Sequence, residues 1–116
     1  MLSRSSFKLT VIIENNGILN LSIQHTSASL IVQENADPDV QTDLLNYFNN
    51  LAPMNNELYV HTTEGKDDMP AHIKSALTNN QITLSIKEKK LMLGTWQGLY
   101  SVSYTHLRAN ETRHDL

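Results

Sequence analysis

The sequence predicts an α+β fold, mostly β: a sandwich-like β domain with two short helices. Three observations point there. Short apolar stretches with alternating polar partners recur along the chain, turn residues punctuate them, and only two segments carry the periodicity of a helix. The chain has 116 residues, enough for one domain, so residues 1–116 are expected to form a single unit.

Phe7 to Ile13 is rich in β-branched residues and predicts a strand. Asn16-Gly17 follows as a tight-turn signal. From Leu19 to Thr26 the alternation is regular, with Leu19, Leu21, Ile23 and His25 on one face, so His25 is expected to point inward. Ser29 to Gln33 predicts another strand. Asp37 is a good N-cap and Pro38 suits a first helical position. Val40, Leu44, Phe48 and Leu51 then form the apolar stripe of a helix from Asp37 to about Leu51. Leu58 to Thr63 alternates and predicts a strand carrying Tyr59 and His61 on one face. A charged loop leads to a short helix expected to open at Pro70, with His72 in its first turn. Gln81 to Lys87 and Lys90 to Leu93 predict two strands, and Gly94 to Tyr100 an extended segment bearing the single Trp.

Net charge is −3, without basic runs, which speaks against a nucleic-acid partner. There are no cysteines, so disulfides and thiolate metal sites are excluded. The sequence contains no apolar run of membrane-spanning length and its start lacks the apolar core of a secretory signal, so no membrane association and a cytoplasmic location are expected.

Three segments carry candidate chemistry. His25 stands beside Thr26, Ser27 and Ser29; its bland alternative is a histidine hydrogen-bonded in the core. His61 to His72 places two histidines and the acidic residues Glu64, Asp67 and Asp68 around one strand–loop–helix junction, the setting of a ligand-binding loop. The alternative is a solvated acidic loop in which Asp67 and Asp68 favour the positive end of a helix. His25, His61 and His72 together would supply three imidazoles to a divalent metal, leaving a zinc ion one open position. Gly94-Thr95-Trp96-Gln97-Gly98 brackets an aromatic with glycines, either a flat platform for a planar ligand or a core Trp at a bulge.

These motifs resemble the YjbQ-like family, whose members are often labelled secondary thiamine-phosphate synthases. The resemblance rests on His25-Thr26-Ser27-Ala28-Ser29-Leu30, Glu34 to Val40, His61, Glu64-Gly65, Asp67 to Ser75, and Leu93 to Gly98, and spans about residues 19–100. It implies a homotrimer with the histidine segments meeting in one pocket near a subunit interface. It also implies a reaction joining an aminopyrimidine methyl diphosphate to a thiazole phosphate, so the expected ligand is a small phosphorylated heterocycle. On that basis His25, His61, His72, Asp67 and Asp68 are the expected catalytic residues. His25, His61 and His72 are the expected ligands of zinc or magnesium, with Asp67 or Asp68 orienting an imidazole from behind. Ser27, Asn35, Lys66, Lys74, Trp96 and Gln97 are expected to bind substrate. The competing readings are a metal-dependent hydrolase and a non-catalytic trimeric binding protein.

Two departures from the family pattern stand out. The chain before Leu19 is shorter than the family's. From about Ser101 the pattern is lost, and Ser103 to Ala109 reads like translated adapter DNA. A weakly packed strand or poor order is expected there, and His106 and His114 are left out of the site.

Overall fold

The alternating stretches pair into two three-stranded antiparallel sheets. In the computed structural model, described over residues 15–103 and the backbone of 106–109, one sheet has the order β1 (Gly17–Ser22), β3 (Gln81–Lys87), β4 (Lys90–Leu91). The other has the order β2 (Ala28–Glu34), β5 (Gln97–Ser103), β6 (His106–Ala109). Helices α1 (Pro38–Leu51) and α2 (Asp68–Leu77) and a 3-10 turn at Asn56–Leu58 complete the described elements. The predicted α+β, mostly β class is therefore the observed one. Among the described residues no helix is long and apolar enough to cross a membrane.

The core forms where the two sheets face each other. Leu30 of β2, Leu84 of β3 and Leu99 of β5 are buried together, and Leu21, Ile23, Val32, Ile82, Leu91 and Leu93 pack around them. The register puts Leu99 opposite Val32, so the period of two along each strand delivers one apolar row per strand to this interior. The opposite face of the β2–β5 sheet meets the helices. Gln41 of α1 donates to the Tyr100 hydroxyl at 2.8 Å, and the Ser75 hydroxyl of α2 donates to the Ala28 carbonyl at 3.2 Å.

Helix α1 begins as its sequence directs. Asp37 accepts a hydrogen bond from the Asp39 amide at 2.9 Å, and Glu34 holds the preceding turn through the Ala36 and Asp37 amides. Its apolar stripe is covered less than expected: Val40, Leu44 and Phe48 are half-buried and Leu51 is 50% exposed.

Four other expectations need correction. Leu58 to Thr63 is not a strand. The Asn55 side chain accepts from the Glu57 amide and closes the 3-10 turn, and the chain beyond it pairs with no strand among the described residues, leaving Val60 fully exposed. Helix α2 starts at Asp68, two residues before Pro70, because proline is tolerated throughout a first helical turn; His72 consequently lies in the second turn. Gly17 opens β1 opposite Ile86 rather than sitting in a tight hairpin. The two-residue hairpin is Glu88-Lys89, both with positive φ, and Asn15 and Asn16 brace it by accepting the Lys89 and Glu88 amides. Lastly, β1 ends at Ser22, so His25 is not the last member of an inward row; it is exposed.

The strand predicted at Phe7 to Ile13 lies outside the described residues. Toward the C-terminus, β6 pairs with β5 in the register Tyr100 to Ala109 through Ser103 to His106.

Candidate functional site

Asp68 and His72 are four residues apart on α2, which places them on one helix face. Gly65 makes this possible upstream. Its φ of 112°, a conformation most side chains avoid, turns the chain from His61 back toward the helix start. The consequence is a three-residue cluster. His61 Nε2 lies 2.8 Å from Asp68 Oδ2, and His72 Nε2 lies 3.0 Å from the same oxygen. The two imidazoles meet edge to face with centroids 5.5 Å apart. One ligand-type atom from each of His61, Asp68 and His72 falls within 4.8 Å of the others.

The proton count of this cluster is informative. His72 Nδ1 lies 2.8 Å from the Thr26 carbonyl oxygen, which can only accept, so Nδ1 carries a hydrogen. In a neutral ring Nε2 then offers a lone pair, and it faces a carboxylate oxygen. Two acceptors at 3.0 Å repel unless a proton or a metal cation lies between them. The Asp68 carboxyl is held below its usual range, chiefly by the hydrogen bond from His61 and further by the charge of His72, with its partial burial opposing.

The other expected site residues are distributed differently. His25 is not part of the cluster. Its Nδ1 accepts from both the Ser27 amide and the Ser27 hydroxyl, each at 3.0 Å. His25 and His72 do line one cleft of about 390 Å³, together with Thr26, Ser75, Ala76, Thr78 and Asn80. Asp67 is the residue before α2 and makes no side-chain capping bond. Lys66 is exposed in the loop. Lys74 is buried, 2% exposed, donates to Asn49 of α1 at 3.0 Å, and has its amine pushed below the ordinary range by desolvation.

Asn35, Trp96 and Gln97 occupy the far end of the fold. The Asn35 amide donates to the Trp96 carbonyl, just beyond the last residue of β2, whereas Thr26, to whose carbonyl His72 is bonded, lies before its first. A strand of this length separates the two ends by about 20 Å. Within one chain, Trp96 cannot stack on a ligand held at His61 and His72. Gln97 is occupied locally, accepting from the Gly94 amide at 2.7 Å. Gly98 is required by packing: a Cβ there would lie 2.8 Å from the Asn35 Cβ. The Glu34-to-Asp37 and Gly94-to-Gly98 motifs thus have structural work in this chain.

Sequence reasoning missed four contributors. Thr26 acts through its carbonyl, which no side-chain motif reveals. Ser75, Thr78 and Asn80 reach the cleft because α2 and the turn after it pack beside Thr26. The i, i+4 spacing of Asp68 and His72 was the available signal for Asp68 as a direct partner of both imidazoles.

Comparison with known proteins agrees with the motifs. The model of the UPF0047 protein YjbQ-like family matches residues 8–114. A UPF0047 protein of Synechocystis is 48% identical over 97 residues, covering 80% of this chain and 66% of the relative. The UPF0047 protein YjbQ of Escherichia coli O157:H7 is 44% identical over 86 residues, covering 74% and 62%. This chain therefore spans less than two thirds of the length of these relatives. Among solved structures, a conserved hypothetical protein of Thermus thermophilus superimposes with TM-score 0.70 at 36% identity, covering 81% of this chain and 72% of that one. A YjbQ/UPF0047 family protein of Clostridium acetobutylicum gives 0.69 at 35% identity, covering 84% and 72%. The paired histidines and their carboxylate sit in a chain that belongs to the UPF0047 YjbQ-like family.

Proposed function

We propose that this protein is a metal-dependent small-molecule enzyme whose reaction centre is His61, Asp68 and His72. The observation that carries the reading is the convergence of His61 Nε2 and His72 Nε2 on one Asp68 oxygen, at 2.8 and 3.0 Å, which would offer a divalent cation three ligand atoms in one place. The donor set fits: two imidazoles and a carboxylate are ligands suited to zinc, and ligand atoms on one tetrahedral ion lie about 3.3 Å apart. The cluster is already close to that scale, with both imidazole nitrogens within 3.0 Å of Asp68 Oδ2. The Thr26 carbonyl fixes the His72 tautomer and ring orientation from behind, a role that bonded neighbours of metal-ligating histidines commonly fill.

When bound, the ion would supply positive charge to polarise or neutralise an oxygen of the substrate. The chain's own residues hold it: His61 from the loop, Asp68 and His72 from the helix, with Asp68 only 17% exposed and therefore partly screened from bulk water. The more specific reading is displacement of diphosphate from an aminopyrimidine methyl group by a thiazole phosphate, supported by the family motifs. Lys74 is buried against α1 and Lys66 is out in the loop, so the cation at the cluster would carry the neutralisation of that leaving group. The homotrimer belongs to the same proposal. The exposed apolar side chains Tyr47, Leu51, Met54, Leu58 and Val60 support self-association.

The test is to strip the protein with a chelator, reload it with zinc or magnesium, and assay thiamine phosphate formation and phosphoester hydrolysis. Activity should disappear on stripping, return with the metal, and be absent from His72→Ala. Activity indifferent to chelation would refute the metal reading; hydrolysis without transfer would select the hydrolase.

A further inference from the structure

The cleft beside the cluster carries an inference about what kind of ligand it takes. Among the described residues its lining contains no Lys, Arg, Asp or Glu: it is His25, Thr26, His72, Ser75, Ala76, Thr78 and Asn80. His25 is held in one tautomer by geometry. A backbone N–H can only donate, and the Ser27 amide donates to His25 Nδ1 at 3.0 Å, with the Ser27 hydroxyl converging on the same atom. A hydrogen on Nδ1 would point at the Ser27 amide hydrogen, so the ring's hydrogen sits on Nε2. His72 is likewise committed, through Nδ1 to the Thr26 carbonyl and through Nε2 to the Asp68 side.

Two of the three hydroxyls of the cleft are committed as donors as well. Ser75 gives its hydrogen to the Ala28 carbonyl, and Thr78 gives its own to the Lys74 carbonyl while meeting the Ser29 hydroxyl. Both therefore face a ligand mainly with lone pairs. The lining thus combines one fixed donor, His25 Nε2–H, with the Asn80 amide, the Thr26 hydroxyl and several acceptors, and holds no Lys or Arg among the described residues. A phosphate group, all acceptor and multiply charged, is poorly matched: phosphate sites use cationic and multiple N–H donors.

We propose that this cleft is a subsite for an uncharged hydrogen-bonding group, such as an amide or a nitrogen heterocycle, and that His25 is its orienting donor rather than a metal ligand. The substrate would then be bipartite, with an anionic or metal-seeking end at His61, Asp68 and His72 and a neutral end against His25. The proposal deepens the metal reading and rests on it only for what occupies the neighbouring cluster.

The experiment is nitrogen-15 NMR of the histidine rings at pH 7, on the full chain, with three probes added separately: zinc, nicotinamide and inorganic phosphate. His25 should appear as the Nε2–H tautomer. Nicotinamide should shift the His25 ring and the Asn80 side-chain amide, and phosphate should leave both in place. Zinc should move His61 and His72 far more than His25. His25→Phe, at an exposed position that should not disturb folding, should weaken nicotinamide binding by about fivefold, the loss expected for one hydrogen bond. A doubly protonated His25, a His25 ring that phosphate shifts more than nicotinamide does, or zinc ligation by His25 would each overturn the proposal. The two readings fail separately: zinc leaving His61 and His72 unmoved while nicotinamide still engages His25 would remove the metal centre and keep this subsite.

Discussion

Gly98→Ala should destabilise the fold by about 1–3 kcal/mol, the usual cost of forcing an extra carbon into a packed site. The added Cβ would meet the Asn35 Cβ and Nδ2 at 2.8 Å each. That is about 0.6 Å inside ordinary van der Waals contact, deep on the repulsive wall. The amide can rotate away, but the Asn35 Cβ is fixed to the backbone. That backbone is tied to the neighbouring strand by the Asn35 amide to the Trp96 carbonyl at 2.9 Å and by the pairing of Glu34 with Gln97. Relief therefore requires the end of β2 to part from β5. Urea denaturation followed by circular dichroism gives the free energy, and the melting temperature should fall by about 4 °C per kcal/mol. Adding Asn35→Gly to the Gly98→Ala background should restore most of the loss, because it removes the atom that is struck. A loss below about 0.5 kcal/mol, or no recovery in the double variant, would show that this contact is not what requires glycine.

Two further predictions concern pH. The Asp68 carboxyl is held below 3.8, so its interactions stabilise the folded metal-free chain above that pH and are lost as pH falls through the lowered value; Asp68→Asn should flatten the acid limb of the stability curve, whereas an unchanged limb would contradict the paired geometry. The Lys74 amine is depressed below 10.5 by burial, so folding is favoured above that pH and this contribution is lost as pH falls through the folded value. The stability of the wild-type chain relative to Lys74→Met should therefore rise between neutral pH and pH 10, and a difference independent of pH would mean that the amine is solvated.

Much of the fold was legible because local signals and tertiary pairing agree. Asp37 and Pro38 mark the start of α1 with the chemistry the helix uses, and Gln81 to Lys87 alternates because one face packs in the core. Leu58 to Thr63 misled because alternation is necessary for a half-buried strand but does not supply a partner; the local Asn55 cap and the Tyr59 hydroxyl bond to the Pro53 carbonyl won instead. His25 misled for a related reason, since its alternation runs past Ser22, where pairing stops. In the site, residue types identified His61 and His72, but the direction of each imidazole nitrogen was not readable. The Thr26 carbonyl decides it for His72, as the Ser27 amide does for His25, and both are backbone groups whose positions depend on the turn into β2.

The central claim is that His61, Asp68 and His72 form one cation site. Isothermal titration of zinc into chelator-treated protein tests it most directly, with the wild type measured beside Asp68→Ala, His61→Ala and His25→Ala. The account predicts one ion per chain, affinity reduced by more than tenfold in Asp68→Ala and in His61→Ala, and binding in His25→Ala within about threefold of the wild type. Absence of zinc binding by the wild type, or affinity that falls with His25→Ala and survives Asp68→Ala, would contradict it.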